Sequence, residues 1–345
     1  MTAAATGGSA SVTRRNRRRR VWVVLLGVAA VAVIVGVVFA VSAAQRWFHT
    51  VTAQPPGIGT TLLAPAQSKA QQALDGGRVD AASEEATRFL AAQPTAYWLT
   101  PEQNPPGTAG GTVSDLLAQA RSQDAVLSIV VYGLPERDCG NHSAGGLSPD
   151  AYRSWLSEIG GALKTAPDMD KVVILEPDSL ALAGECGNLD ERVVQLREAV
   201  HALEGPGTWI YLDGGHSGWL SPAEMASLIS AVSVDDSIRG FATNVSNYRS
   251  TADEFDYAHA VSERLGGLHA VIDTSRNGRA NAGEEWCNPP GQRVGDPGGT
   301  YGDDVVDTNL WIKPPGESDG PCHGGPAAGV WWPEAAVNLT DGLRE

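Results

Sequence analysis

Along most of the chain, short apolar runs alternate with longer stretches in which apolar positions recur at helical spacing. The runs have the length and composition of buried strands, and they comprise residues 126–132, 172–175, 209–212, 240–244, 270–273 and 308–312. The helix-like stretches comprise residues 66–74, 81–92, 151–164, 190–204, 222–232 and 251–265. Strands that alternate with helices predict an α/β fold with a parallel sheet, either open or closed into a barrel.

Polar side chains follow each of the six predicted strands. In barrels and open parallel sheets the carboxyl ends of the strands carry the active site. Carboxylates are frequent at these positions, and the set that would meet at one rim is Asp138, Glu176, Asp178, Asp213, Asp273, Glu317 and Asp319. A single Asp after a strand is commonly a turn or helix-capping residue. The seven together favour an active site.

Clustered carboxylates serve either as metal ligands or as acid and base catalysts. Neither histidines at helical spacing nor an oxygen-rich loop of defined length accompanies them, so we predict no metal site and no cofactor. Unpaired carboxylates repel one another, which raises the pKa of at least one and makes a general acid available near neutral pH. Glycoside hydrolysis requires such an acid. Arg137 and Lys313 would offset part of the negative charge.

The N-terminus determines the predicted compartment. Residues 21–44 contain no charge over 24 positions and follow six arginines within residues 14–20. The length suffices to cross a bilayer with the basic flank in the cytoplasm, although the small residues at 41–44 would also suit a cleaved signal peptide. We predict a basic cytoplasmic tail (1–20), a transmembrane anchor or signal segment (21–44), a stem (45–60) and an exported domain (61–345).

Charge and cysteine content narrow the possible partners. Without the six N-terminal arginines, 19 basic residues face 40 acidic ones, a net charge of −21. A domain with this much negative charge would repel the phosphate backbones of DNA and RNA, so we predict that nucleic acid is not a partner. The four cysteines, Cys139, Cys186, Cys287 and Cys322, allow three pairings, and disulfides are expected outside the cell.

Seven sequence blocks resemble those of glycoside hydrolase family 6, the cellulases. Two are long signatures, with Arg-Asp-Cys and Glu-Pro-Asp at their centres, and the blocks occur in family order from about residue 94 onward. They span residues 131–146, 173–181, 211–219, 244–248, 271–278, 285–291 and 310–320. The resemblance implies a distorted parallel (β/α) barrel as the catalytic domain, preceded by the single N-terminal helix.

The resemblance also implies roles for the carboxylates in an inverting hydrolysis of β-1,4-glucosidic bonds. Asp178 would be the general acid, and Asp138 would keep it protonated and stabilise the oxocarbenium-like transition state. Asp319 corresponds to a proposed base. The rival account is a water chain towards Asp138, in which Ser143 could take part. Tyr132 would crowd the sugar beside the scissile bond and favour a distorted ring.

Substrate contacts and disulfides follow from the same resemblance. Trp98 and Trp286 would stack on sugars of the glycone side and Trp219 on the leaving side, since sugar C–H faces are apolar. Four further side chains would hydrogen-bond hydroxyl groups: His216, Asn244, Lys313 and Glu317. Asp213 would bind substrate or support the site, while Trp311 is either a core residue or a contact. The implied disulfides join Cys139 to Cys186 and Cys287 to Cys322.

Loop lengths bear on where the glucan would be cut. Exo-acting members of the family enclose the substrate with two extended loops. Here Gly291 and Leu310 are 19 positions apart and Asp319 and Val330 are 11 apart, which favours an open cleft and an endo-acting monomer whose partner is β-1,4-glucan. The alternatives are an exo-acting cellobiohydrolase, a non-catalytic glucan-binding protein at the cell surface and a structural envelope protein.

Overall fold

The computed structural model describes residues 53–343 apart from 78, 141–144, 235, 280–282 and 284, together with helical positions 22–23, 25, 27–28, 31–37 and 40. The chain divides into two units, Met1–Thr52 and Ala53–Glu345. Within the described positions, no helix combines the length and the apolar character that crossing a membrane requires. The predicted tail (1–20) and the first half of the predicted stem (45–52) lie outside the described residues, and the predicted membrane segment (21–44) is described only in part. All three stay predictions.

The second unit alternates strands and helices along its length. Its strands are β1 (Tyr97–Leu99), β2 (Leu127–Val131), β3 (Lys171–Leu175), β4 (Thr208–Asp213), β5 (Gly240–Thr243), β6 (His269–Asp273) and β7 (Val306–Leu310). Its helices are α1 (Lys69–Asp75), α2 (Glu84–Ala91), α3 (Ala109–Gln123), α4 (Pro149–Lys164), α5 (Ala183–Cys186), α6 (Leu189–Leu203), α7 (Pro222–Val232), α8 (Thr251–Arg264) and α9 (Pro333–Leu339).

The strands form one parallel sheet in the order β1-β2-β3-β4-β5-β6-β7. All six neighbouring pairs are parallel, which confirms the predicted parallel sheet. The sheet curls so that its first and last strands approach each other. There the Ala96 amide donates to the Trp311 carbonyl at 2.9 Å, and the Trp98 indole donates to the Ile312 carbonyl at 2.9 Å.

Side chains of the strands alternate between two cores because successive residues point to opposite faces of a sheet. Ile129 and Val131 of β2 pack outward in the larger core, beneath the helices. Val130 of the same strand points into the interior of the curl. Burial on both faces explains why the strands appear in the sequence as continuous apolar runs.

The starts of several helices that follow the strands are fixed by local capping. Ser221 and Glu224 form a capping box at the start of α7, and Ser148 and Ser250 accept hydrogen bonds from the first turns of α4 and α8. These caps satisfy amide groups that the helix itself leaves unpaired. The loops between strand and helix are thereby held in place, and they carry the polar residues.

Candidate active site

An open cleft with a volume of about 1430 Å³ lies across the carboxyl ends of the strands. Most of the predicted site residues line it: Trp98, Tyr132, Asp138, Asp178, His216, Trp219, Trp286, Lys313, Glu317 and Asp319. Asp213 and Asn244 do not. Trp311, for which two roles were open, is buried in the core between α2 and α9.

Asp178 lies three residues beyond β3, in a left-handed backbone conformation with φ 67°. Its amide donates to Asp213 Oδ2 at 3.0 Å, which fixes the loop against the end of β4. Burial, followed by the charges of Asp213 and Asp138, raises the pKa of Asp178 well above its usual value, and Lys313 opposes this shift. Asp178 therefore retains its proton at a pH where an ordinary aspartate has lost it.

Asp138 is positioned by aromatic neighbours from β1 and β2. The Tyr132 hydroxyl donates to Asp138 Oδ2 at 2.6 Å, while the Arg137 guanidinium lies 4.2 Å from the centre of the Tyr132 ring. Trp98 meets the same ring edge-on at 5.3 Å. Arg137 also donates to the Tyr132 carbonyl at 2.7 Å and to Glu102 at 3.0 Å. Arg137 and Trp98 together therefore restrict the Tyr132 ring.

Asp319 is surrounded by donors. Arg276 Nη1 lies 2.8 Å from each of its carboxylate oxygens, and the Tyr248 hydroxyl donates to Oδ2 at 2.8 Å. The Asn288 amide donates to Oδ2 at 3.1 Å, and Lys313 Nζ lies 3.9 Å from Oδ1. These contacts hold the Asp319 side chain in place.

Two predicted substrate contacts lie beneath the cleft instead of on its surface. Asn244 is completely buried, donates to the Asp273 carbonyl at 2.8 Å and accepts from the Arg249 amide at 3.0 Å. Asp213 is buried under Asp178 and also accepts from the Gly215 amide at 3.2 Å. Both side chains support the loops above them because their hydrogen bonds are made within the protein.

Asp273 has a comparable supporting position at the end of β6. It accepts amide hydrogen bonds from Ser246, Ser275, Ile312 and Lys313 at 2.9–3.2 Å. One carboxylate therefore joins the loops that follow β5, β6 and β7. Part of the predicted rim of carboxylates thus stabilises the loop structure.

One end of the cleft is built around Lys313 and Glu317. Lys313 is buried, which lowers its pKa, and its Nζ lies 5.2 Å from the centre of the Trp98 ring. Lys69 of α1 reaches across to Glu317 Oε2 at 3.2 Å and also donates to the Gly329 carbonyl. Lys69, Gln72 and Trp331 line the cleft here. The sequence gives no signal for Lys69 and Gln72, and it suggests a structural role for Trp331.

The other end carries His216 and Trp219, whose rings lie 5.7 Å apart. Burial and nearby Arg249 lower the pKa of His216 to about 4. Arg249 also donates to the Gly283 carbonyl at 2.9 Å, which ties the loop before Trp286 to this side. Trp286 itself is 47% exposed.

The two predicted disulfides are confirmed. Cys139 pairs with Cys186 and Cys287 pairs with Cys322, with Cα–Cα distances of 5.4 and 6.1 Å. The first joins the Asp138 loop to α5, and the second joins the loops of Trp286 and Asp319. Ser143, named for the water chain, lies outside the described residues.

Three further residues near the site have no predicted role. Tyr248 and Arg249 line the cleft, and Arg276 is buried beside Asp319. All three lie within or beside the family-like blocks, and that position is the sequence signal that could have found them. Among the described residues, His259, Asp303 and Asp304 could together hold a metal ion. They are exposed and line no part of the cleft.

Comparison with known proteins agrees with this geometry. The sequence model described as "Glycosyl hydrolases family 6" matches residues 59–342. Endoglucanase A of Cellulomonas fimi is 41% identical over 256 residues, covering 74% of this chain and 56% of that protein. The chain therefore spans little more than half of that relative. Exoglucanase 3 of Agaricus bisporus is 32% identical over 306 residues, covering 76% of this chain and 68% of that protein.

A solved structure shares the fold. It is the endoglucanase Cel6 from Mycobacterium tuberculosis in complex with methyl-cellobiosyl-4-deoxy-4-thio-β-D-cellobioside, 36% identical in sequence with a TM-score of 0.74. The match covers 81% of this chain and 96% of that one.

Proposed function

The chain belongs to glycosyl hydrolase family 6, and on that premise we propose that it is an endo-acting, inverting β-1,4-glucanase with Asp178 as its general acid. The observation that carries the proposal is the carboxylate arrangement in the cleft. Desolvation and two neighbouring carboxylates, Asp213 and Asp138, raise the pKa of Asp178 and keep it protonated. Inverting glycosidases require such an acid on one face of the sugar and a water molecule on the other.

The acid step uses the raised pKa of Asp178. The protonated carboxyl group donates to the glycosidic oxygen as the bond to the anomeric carbon breaks. Asp138, held by Tyr132, stabilises the positive charge that develops on the sugar ring. Tyr132 itself is fixed between Arg137 and Trp98, so it can press on the sugar without moving away.

The base step is better supported for a water chain towards Asp138 than for direct proton transfer to Asp319. A proton on Asp319 would disrupt its ion pair with Arg276 and its hydrogen bond from Tyr248. Breaking a buried ion pair by neutralising one partner is costly. In this account Asp319 remains an anion that orients Arg276, Tyr248 and Lys313 around the cleft.

Substrate binding follows the two ends of the cleft. Trp98, Lys313 and Glu317 would hold the glycone side, with Lys69 orienting Glu317 through their ion pair. His216 and Trp219 would hold the leaving side. Trp286 would stack on the glycone side, since the Cys287–Cys322 disulfide and the Asn288 amide tie its loop to Asp319, beside Lys313.

The endo mode is supported by the two loops that could have covered the cleft. None of the described residues from 291 to 310 lines it, because this segment folds against β6 and β7 through bonds such as that from Gly299 to Asn309. The segment from 319 to 330 folds back on itself, with paired hydrogen bonds between Ser318 and residues 329 and 330. The higher identity to a relative named endoglucanase points the same way.

Hydrolysis of carboxymethylcellulose tests the proposal. An endo enzyme lowers viscosity steeply for each reducing end released, whereas a cellobiohydrolase releases reducing ends with little loss of viscosity. The Asp178→Ala variant serves as the matched control for the acid. Slow viscosity loss would favour the cellobiohydrolase alternative, and equal activity of parent and variant would refute the role of Asp178.

A further inference from the structure

The two loops that carry Asp138 and Asp178 contain an unusual concentration of strained backbone. Among the described residues, eleven that are not glycine have positive φ. Five of them lie in these two loops: Glu136, Asp138, Cys139, Glu176 and Asp178. Residues with a Cβ rarely adopt this conformation, and they keep it only where surrounding contacts impose it. The contacts that impose it here are therefore part of how the site is built.

Glu176 provides the first of these contacts. Its carboxylate is completely buried and accepts from the Gly133 amide at 3.0 Å, the Leu134 amide at 3.2 Å and the Tyr152 hydroxyl at 2.8 Å. Gly133 directly follows Tyr132, and Glu176 stands two residues before Asp178. One side chain thus joins the start of the Asp138 loop to the start of the Asp178 loop.

Arg192 of α6 provides the second contact, on the far side of the same loop. It is 2% exposed and donates to the Pro135 carbonyl at 2.9 Å and the Glu136 carbonyl at 3.4 Å. The Cys139–Cys186 disulfide adds a third contact at the end of the loop. All three come from the segment between β3 and α6, so both carboxylate loops share one support.

We propose that Glu176 and Arg192 are positioning residues that set the separation and orientation of Asp138 relative to Asp178. Neither lines the main cleft, so they act through the loops and leave substrate binding to others. The inference rests on the proposed function, because an inverting enzyme needs its acid and the opposing carboxylate at a separation that admits one water molecule.

The test compares Glu176→Ala with Glu176→Gln in steady-state hydrolysis of cellotetraose. The alanine variant leaves two buried amides unpaired and frees the Asp138 loop, so kcat should fall about 10- to 100-fold with KM within about twofold. Glutamine can accept from both amides and donate to Tyr152, so kcat should return to within about threefold of the parent.

A control variant at a buried carboxylate outside the site distinguishes a positioning effect on kcat from a loss of stability. Asp307→Asn should lower the melting temperature and leave kcat unchanged, since Asp307 lies at the opposite ends of the strands. If Glu176→Ala does not fold, Tyr152→Phe removes only the hydroxyl and should still lower kcat with KM unchanged. Variants that lose melting temperature while keeping kcat, or that raise KM alone, would overturn the inference. A parent without activity would overturn the proposed function as well.

Discussion

Aspartates at the two ends of the sheet, buried at one end and half-buried at the other, lie in opposite electrostatic settings. At the amino ends, Asp307 accepts from Arg239 at 2.6 and 2.8 Å and from the Tyr211 hydroxyl at 2.6 Å, with His269 Nδ1 3.0 Å away. At the carboxyl ends, Asp178 faces two further carboxylates, Asp213 and Asp138.

The contrast teaches how one residue type serves two purposes. A carboxylate with a bidentate arginine, such as Asp307, holds β4, β6, β7 and the residue before β5 together through its ion pair and hydrogen bonds. A half-buried carboxylate next to two others, such as Asp178, is stabilised in the protonated form, which costs stability at neutral pH and supplies an acid. The sheet is thus held together at one end and reactive at the other.

The largest expected effect is on catalysis at the reactive end. Asp178→Asn removes the proton donor, so activity on carboxymethylcellulose should fall by about 10²- to 10⁴-fold. Because the folded-state pKa of Asp178 is raised, its contribution to stability is lost as pH rises above the usual aspartate value. At neutral pH the Asp178→Asn variant should therefore have a melting temperature equal to or above that of the parent, as measured by thermal unfolding. A lower one would contradict the electrostatic account.

The second effect concerns the supporting end. Asp307→Asn leaves Arg239 without its anionic partner and should lower the free energy of unfolding by about 3 kcal/mol, with kcat unchanged in the folded protein. Chemical denaturation beside steady-state kinetics measures both quantities. A loss of kcat without a loss of stability would reverse the roles assigned to the two ends.

A smaller effect is expected where the cleft meets α1. Lys69→Met removes the ion pair to Glu317, which is worth about 1 kcal/mol, so KM for cellotetraose should rise roughly fivefold with little change in kcat. Lys164→Met is the matched control, since Lys164 donates to the Ala202 carbonyl on the helical surface at 2.9 Å. Equal KM values for Lys69→Met and Lys164→Met would show that Lys69 does not contribute to substrate binding.

The last expected effect is on the pH dependence of stability. The pKa of His216 is lowered from 6.5 to about 4, chiefly by burial, so the folded protein keeps it neutral while the unfolded chain takes up a proton. Stability should therefore decline as pH falls from 6.5 to about 4, and His216→Gln should make this decline shallower. Unfolding measurements between pH 6.5 and about 4 test this prediction. The same decline in stability for the parent and His216→Gln would refute a lowered pKa of His216.

Much of this architecture could be predicted from local sequence. Buried parallel strands appear as apolar runs, and the predicted runs correspond to β2 through β7. The strand β1 was missed because Tyr97–Leu99 is only three residues long. The helix α3 was missed because its first turn contains Gly110 and Gly111, which have low helix propensity.

The sequence predicts which residues form the site, but it does not predict which of them are exposed in the cleft and which are buried beneath it. Asn244 and Asp213 have the residue types of substrate contacts, yet amide groups from neighbouring loops bind their side chains beneath the cleft. Lys69 donates to Glu317 in the cleft although the two residues are 248 positions apart in the sequence. No local sequence pattern encodes this contact. Such contacts depend on tertiary packing, which periodicity and motifs do not report.

The anomeric configuration of the first product tests the central claim most directly. Proton NMR during the first turnovers on cellotetraose distinguishes the two anomers before they equilibrate. An inverting enzyme with Asp178 as acid and water on the opposite face predicts the α-anomer. Initial release of the β-anomer would contradict the account, because it would require a covalent intermediate and a nucleophile in place of the water.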